Sequence, residues 1–135
     1  MSLKKAIAEW IKEHPEYSTQ AGALYQCDWA SGDFVNWLES KYPTLARWHK
    51  VRMYSFYISH ADAERYGDKP GKFNPDPVLY SKGSNENGNR KADWHCIVET
   101  KHFFIDMTAR QYTEKAAYPH IISKKELAFG AAAGK

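Results

Sequence analysis

The chain has 135 residues, of which 43% are hydrophobic, 15% aromatic and 26% charged, a balance that fits one globular domain and excludes a disordered segment. The formal charge is +3 with the basic residues scattered, which leaves no nucleic-acid footprint; no apolar run reaches membrane-spanning length, and Lys4 and Lys5 are followed by no apolar core with a cleavage pattern. Two cysteines are too few for a disulfide scaffold, so the expectation is a soluble cytoplasmic protein with free thiols, no membrane contact and no signal peptide.

Leu3, Ala6, Ile7, Trp10 and Ile11 recur at helical spacing between Lys4, Lys5, Glu9 and Lys12, which predicts an amphipathic first helix ended by Pro15. From Glu16 to Gln26 the chain is mixed, with Gly22 as a bend. Ala30, Phe34, Trp37 and Leu38 then mark one apolar face of a second helix that opens at Cys27 and closes at Tyr42-Pro43, with Gly32 costing about 1 kcal/mol relative to alanine. Cys27 therefore sits at a helix N-terminus, where the helix dipole and unpaired amides favour a thiolate and can donate to a developing oxyanion.

Thr44 to Lys50 adds a helical turn, and Val51 to Ser59 is β-prone and free of glycine and proline, which predicts a strand. His60 to Asp93 is rich in Gly, Pro and Asn and reads as a long loop: either a wall or lid of a site, or a solvated excursion.

Two apolar runs, Trp94-His95-Cys96-Ile97-Val98-Glu99 and Phe103-Phe104-Ile105-Asp106-Met107-Thr108, predict an antiparallel hairpin beside that strand. With the turn near Thr100-Lys101 and Glu99 opposite His102, His95 falls directly opposite Asp106 on the same face. A four-residue loop keeps this pairing and a three-residue loop shifts it. Thr108 to Pro119 is polar and turn-like, Ile121-Ile122 is a short apolar element, and Ser123-Lys124-Lys125-Glu126 fits a capping box that opens a short helix. The domain is expected to span residues 1–129, with 130–135 a flexible tail.

Cys27, His95 and Asp106 supply a nucleophile, a proton carrier and a group to orient it, the parts that thiol-dependent acyl chemistry requires. Oxyanion donors are the Cys27 or Asp28 backbone N–H, with Gln20 or Gln26 as side-chain candidates. The competing roles are ordinary ones, a buried small thiol and a satisfied strand histidine. The carboxylate within Phe-Phe-Ile-Asp-Met is harder to assign that way, because an unpartnered buried charge costs several kcal/mol. His95 is its best-placed partner, with Arg110 an alternative. Ser31, one turn after Cys27, either approaches the thiolate or returns to a backbone carbonyl. Trp94 is expected to face away from His95 into the core, Cys96 likewise, and Arg110 and Gln111 to lie on the surface.

The order Cys, His, Asp, the cysteine opening a helix, and the strings His95-Cys96-Ile97-Val98-Glu99 and Ile105-Asp106-Met107-Thr108 resemble the core of transglutaminase-like domains of the papain-like superfamily, with their His-Ala-Trp-Val-Glu and Asp-x-Thr pattern. The resemblance spans residues near 20 to 110. It implies a papain-like α+β fold, Cys27 as nucleophile, His95 as general base and acid, and Asp106 as orienting carboxylate. It further implies thiol chemistry on an amide, ester or isopeptide bond of a protein or peptide-like substrate, without metal or cofactor. Small members occur as phage and bacterial proteases, amidases and toxin deamidases. Here the cysteine is followed by Asp28-Trp29-Ala30-Ser31 rather than the family's commoner small or aromatic residues, and the His95 to Asp106 spacing is short, which suggests a compact version.

Three other classes compete. Cys27, Cys96, His95 and His102 would be the zinc ligands of a metal site, but adjacent strand residues point to opposite faces and no paired CxxC or HxxxH spacing exists. A binding module would use the tryptophans, tyrosines and scattered basic residues to hold single-stranded nucleic acid, although five tryptophans in a small domain favour core positions. Thirdly, the fold can persist as a non-catalytic module that contacts a protein partner.

Overall fold

A computed structural model describes residues 1–58, 73–80 and 94–127 of the chain. Helix α1 (Leu3–Glu13) begins where the Ser2 hydroxyl accepts a hydrogen bond from Lys5 N–H at 3.2 Å, and it buries Leu3, Ala6, Ile7 and Trp10, the stripe expected from the spacing. A 3-10 turn (Pro15–Ser18) and the one-turn helix α2 (Gln20–Ala23) follow, the latter capped by Thr19. Gly22 is not the expected bend. It lies inside α2 as a point of close approach, where a Cβ would stand 1.8 Å from the Glu16 carbonyl oxygen. Helix α3 (Cys27–Lys41) buries Ala30, Ser31, Phe34, Val35 and Leu38, and α4 (Pro43–Trp48) turns the chain toward the sheet.

The sheet has four antiparallel strands in the order β1 (Arg52–Tyr57), β2 (Trp94–Glu99), β3 (Phe103–Asp106) and β4 (His120–Ser123). The molecule is therefore α+β, as its sequence predicts. Strand β1 is shorter than the expected run from Val51, and β4 was visible only as the Ile121-Ile122 pair. A single helical turn, α5 (Pro77–Tyr80), lies within the stretch expected as a loop; residues 60–72 and 81–93 of that stretch, Ser59 and the C-terminal tail lie outside the described residues. Residues 124–127 are helical, and Glu126 N–H approaches the Ser123 hydroxyl at 3.4 Å, as the capping box predicts.

The hairpin differs from expectation in register and not in face. Val98 pairs with Ile105 and Glu99 with Phe104, so the loop is Lys101-His102, one residue later than expected. Thr100 causes the difference: its N–H and hydroxyl both donate to the Phe103 carbonyl at 2.8 Å, and its Oγ1 accepts from Phe103 N–H at 3.1 Å. Continuing this register puts Ile97 across from Asp106 and His95 two residues further on, across from Thr108. Because the shift is by two in pairing, His95 and Asp106 stay on one face as diagonal neighbours.

The two faces bury different clusters. Val98 and Ile105 join Leu3, Ile7, Trp10, Phe34 and Leu38 from α1 and α3 on one face. On the other, Tyr54, Phe56, Ile97 and Phe104 pack with Leu79, Tyr80, Ala109 and Tyr112. Strand β2 is thus covered on both sides, which explains its nearly unbroken apolar run. No helix among the described residues is long and apolar enough to cross a membrane.

Candidate active site

Cys27 is the first residue of α3. The preceding turn passes through Tyr25 in the left-handed region, at φ 61°, a conformation that costs a non-glycine residue roughly 1–2 kcal/mol. The first intrahelical bond runs from Ala30 N–H to the Gln26 carbonyl at 2.9 Å. The Cys27 and Asp28 amides therefore have no partner within the helix, as at any helix start. The thiol itself is half-buried.

His95 is 1% exposed and Asp106 is fully buried, and their side chains meet at 2.8 Å between Nε2 and Oδ2. With Nε2–H donating to the carboxylate, Nδ1 is the ring nitrogen left over, and Cys27 is near enough to help raise the His95 pKa. Asp106 is satisfied on both oxygens. Tyr80 hydroxyl donates to Oδ2 at 2.7 Å, while Thr108 N–H and hydroxyl donate to Oδ1 at 2.8 and 3.3 Å. Gln111 Nε2 in turn donates to Thr108 Oγ1 at 3.1 Å. The imidazole is boxed by the rings of Phe56, Tyr80 and Tyr112, at centroid distances of 5.7, 4.9 and 5.1 Å.

This environment sets the charges. Burial works against the imidazolium, but the Asp106 carboxylate and, after it, Cys27 outweigh it and raise His95 from 6.5 to about 9. Burial likewise opposes the Asp106 charge, and His95, Tyr80 and the Thr108 amide together hold its carboxyl below the usual range. A buried imidazolium–carboxylate pair at neutral pH is the result. The two thiols differ: burial pushes Cys96 up to about 11 and keeps it protonated on the opposite face of β2.

Of the residues singled out in the sequence, Cys27, His95 and Asp106 come together. Ser31 donates to the Cys96 carbonyl at 3.2 Å, the backbone alternative, and so ties α3 to β2. Gln20 spends one amide N–H on the Gln111 carbonyl at 3.2 Å, which anchors α2 to the turn after β3. Gln26 is the residue before α3 and makes no side-chain cap, and Asp28 is exposed. Trp94, the first residue of β2, does face away from His95 but is 44% exposed, not core. Gln111 is not the surface residue expected, and Arg110 is half-buried rather than freely exposed. Arg110 donates to the Ser18 and Ala116 carbonyls at 2.6 and 3.0 Å, and Gln111 is 2% exposed. Trp29, Trp48 and Trp94 are all exposed, so three of the five tryptophans depart from the expected core positions. Glu99 is held by Arg52 and Lys124 at the far end of β2, away from this chemistry. Among the described residues, no three His, Cys, Asp or Glu side chains gather into a metal-binding group.

Tyr80 and Tyr112 were not foreseen. Tyr80 falls in the Gly-, Pro- and Asn-rich stretch, where no periodicity points to any residue. Thr108 carried a readable signal, since an Asp accepting from the amide two residues on is a common local turn.

Comparison with protein-family models, with curated proteins and with solved structures finds no match to this chain.

Proposed function

We propose that this chain is a papain- or transglutaminase-like thiol hydrolase or acyltransferase acting on an amide, ester or isopeptide bond of a protein or peptide-like substrate. The observation that carries the reading is the buried His95, held as an imidazolium between the Asp106 carboxylate and the half-buried thiol of Cys27. The proton on His95 is the one Cys27 has given up, and the resulting thiolate attacks the carbonyl carbon, forming the C–S bond as the carbonyl π pair moves to oxygen. The Cys27 and Asp28 amides, without acceptors within α3, are the backbone donors for that oxyanion. On collapse the C=O bond re-forms, and the leaving group departs with the proton from His95. Water, or a second nucleophile, then releases the thioester with His95 acting in reverse. Exposed Trp29 and Trp94, neighbours in sequence of Cys27 and His95, offer apolar surface for a peptide-like chain.

The test is alkylation by iodoacetamide at pH 7, read at each cysteine by peptide mass spectrometry, in the wild type and in His95→Gln. Cys27 labels quickly, the rate collapses in His95→Gln, and Cys96 stays unlabelled in both. A Cys27 rate indifferent to His95 defeats the mechanism and leaves a non-catalytic module.

A further inference from the structure

Tyr112 follows the 3-10 turn Ala109–Gln111 and is 5% exposed. Its ring stands edge-on to His95 at 5.1 Å, with an interplanar angle of 88°, and packs on Tyr80 at 5.0 Å. Among the described residues its hydroxyl is the one buried side-chain polar atom without a hydrogen-bond partner. Tyr80 makes the contrast plain, since its hydroxyl is used on Asp106. A buried hydroxyl left unpaired is costly, and such an orphan marks a place where an acceptor is missing. Its ring contact with His95 sets the group beside the triad, and burial, with the Asp106 carboxylate after it, keeps the phenol protonated for donation.

From this position we infer that Tyr112 is a catalytic residue: its hydroxyl is the side-chain donor to the oxyanion formed when Cys27 attacks an acyl carbon. The inference rests on the thiol-acylation reading above and adds a residue to it. Gln20, the obvious side-chain alternative, already spends an amide N–H on the Gln111 carbonyl. In the step itself the Cys27 sulfur bonds to the acyl carbon and the carbonyl π pair passes to oxygen, which then accepts the Tyr112 O–H hydrogen bond beside a backbone amide from the start of α3. No proton leaves Tyr112. When the intermediate collapses, the electron pair returns to re-form C=O, the leaving group takes the proton from His95, and the hydroxyl is unpaired again. A donor that gains its partner only in the intermediate stabilises the transition state and not the ground state.

The experiment compares two reactions of one sulfur. Acetylation of Cys27 by p-nitrophenyl acetate passes through an oxyanion; alkylation by iodoacetamide is a displacement at a saturated carbon and does not. Both are followed by mass spectrometry in the wild type, Cys27→Ala and Tyr112→Phe. Tyr112→Phe keeps the ring packing and removes only an unpaired hydroxyl, so the fold is retained, and alkylation serves as the internal check. The expected result is a loss of acetylation on the order of 10²-fold with alkylation unchanged. Unchanged acetylation in Tyr112→Phe overturns the inference while leaving the thiol mechanism intact. Parallel loss of both reactions also overturns it, since the hydroxyl then acts by positioning Cys27 and His95. A wild type that takes no more acetyl at Cys27 than Cys27→Ala overturns the acyl-transfer reading itself, and the Tyr112 role with it.

Discussion

Asp106 shows how one buried carboxylate is fixed by four bonds it accepts. His95, Tyr80 and two groups of Thr108 all point at its carboxylate, so a charge that would be prohibitive in an apolar strand becomes a fixed acceptor. Removing one of these donors is costly because the others cannot move to replace it. Tyr80→Phe should lower stability by about 1.5–3 kcal/mol, the range for a hydrogen bond to a charged group, as read from urea unfolding midpoints. An unchanged midpoint would remove Tyr80 from the account. Asp106→Asn keeps the shape but substitutes an amide that no longer favours the imidazolium or fixes the Nε2–H tautomer. Turnover should fall on the order of 10³-fold or more with substrate affinity little changed, a split that kcat and KM report separately. Asp106 was legible in the sequence because a carboxylate between Ile105 and Met107 demands a partner. Tyr80 and Tyr112 were not, since neither lies in a periodic pattern and each reaches the site only through packing of distant segments.

At the scale of elements, the sequence sets faces more firmly than positions. Alternation along β2 and β3 placed His95 and Asp106 on the same side, and a turn misplaced by one residue left that parity intact. The turn itself was obscure because the Thr100 side chain, rather than a standard pair of turn residues, closes it. Strand β4 was faint because it is four residues long and at the sheet edge, directly after Pro119. The two glycines carry the same lesson with opposite signs. In α2 a Cβ on Gly22 would collide with the Glu16 carbonyl, and backbone cannot swing aside. In α3 a Cβ on Gly32 would meet the flexible Met53 thioether at 3.6 Å, an ordinary contact. Gly22→Ala should therefore destabilise by about 1–3 kcal/mol through overpacking, and slow Cys27 labelling by disturbing the segment that leads into α3. Gly32→Ala should stabilise by about 1 kcal/mol through helix propensity. Calorimetry on the two variants checks both signs, and a matching shift in the same direction would contradict the packing around α2.

For the whole molecule, one buried proton joins the elements. Cys27 opens α3, His95 is on β2, Asp106 ends β3 and Tyr80 closes α5, so the charge on His95 links four elements across the end of the sheet. Its raised folded pKa, about 9 against 6.5, means that the folded state binds the proton more tightly than the unfolded chain. The resulting stability, roughly 3 kcal/mol for a shift of this size, is fully present below about pH 6.5 and is lost as pH rises through about 9. Asp106 and Glu99 are shifted the other way, Glu99 because Lys124 and Arg52 outweigh the burial that opposes its charge. Their contributions are present above the ordinary carboxylate range and are lost as pH falls through their lowered folded values. Stability should thus form a plateau between the carboxylate range and about pH 6.5, then decline toward pH 9. Urea midpoints measured from pH 6 to 10 test this, and the alkaline decline should flatten in His95→Gln. In the proposed mechanism the proton that stabilises the fold is also the one delivered to the leaving group, so kcat/KM should fall over the same alkaline interval as the midpoint. If activity persists well above the pH at which that stability is lost, His95 is not the acid, whatever its place in the fold.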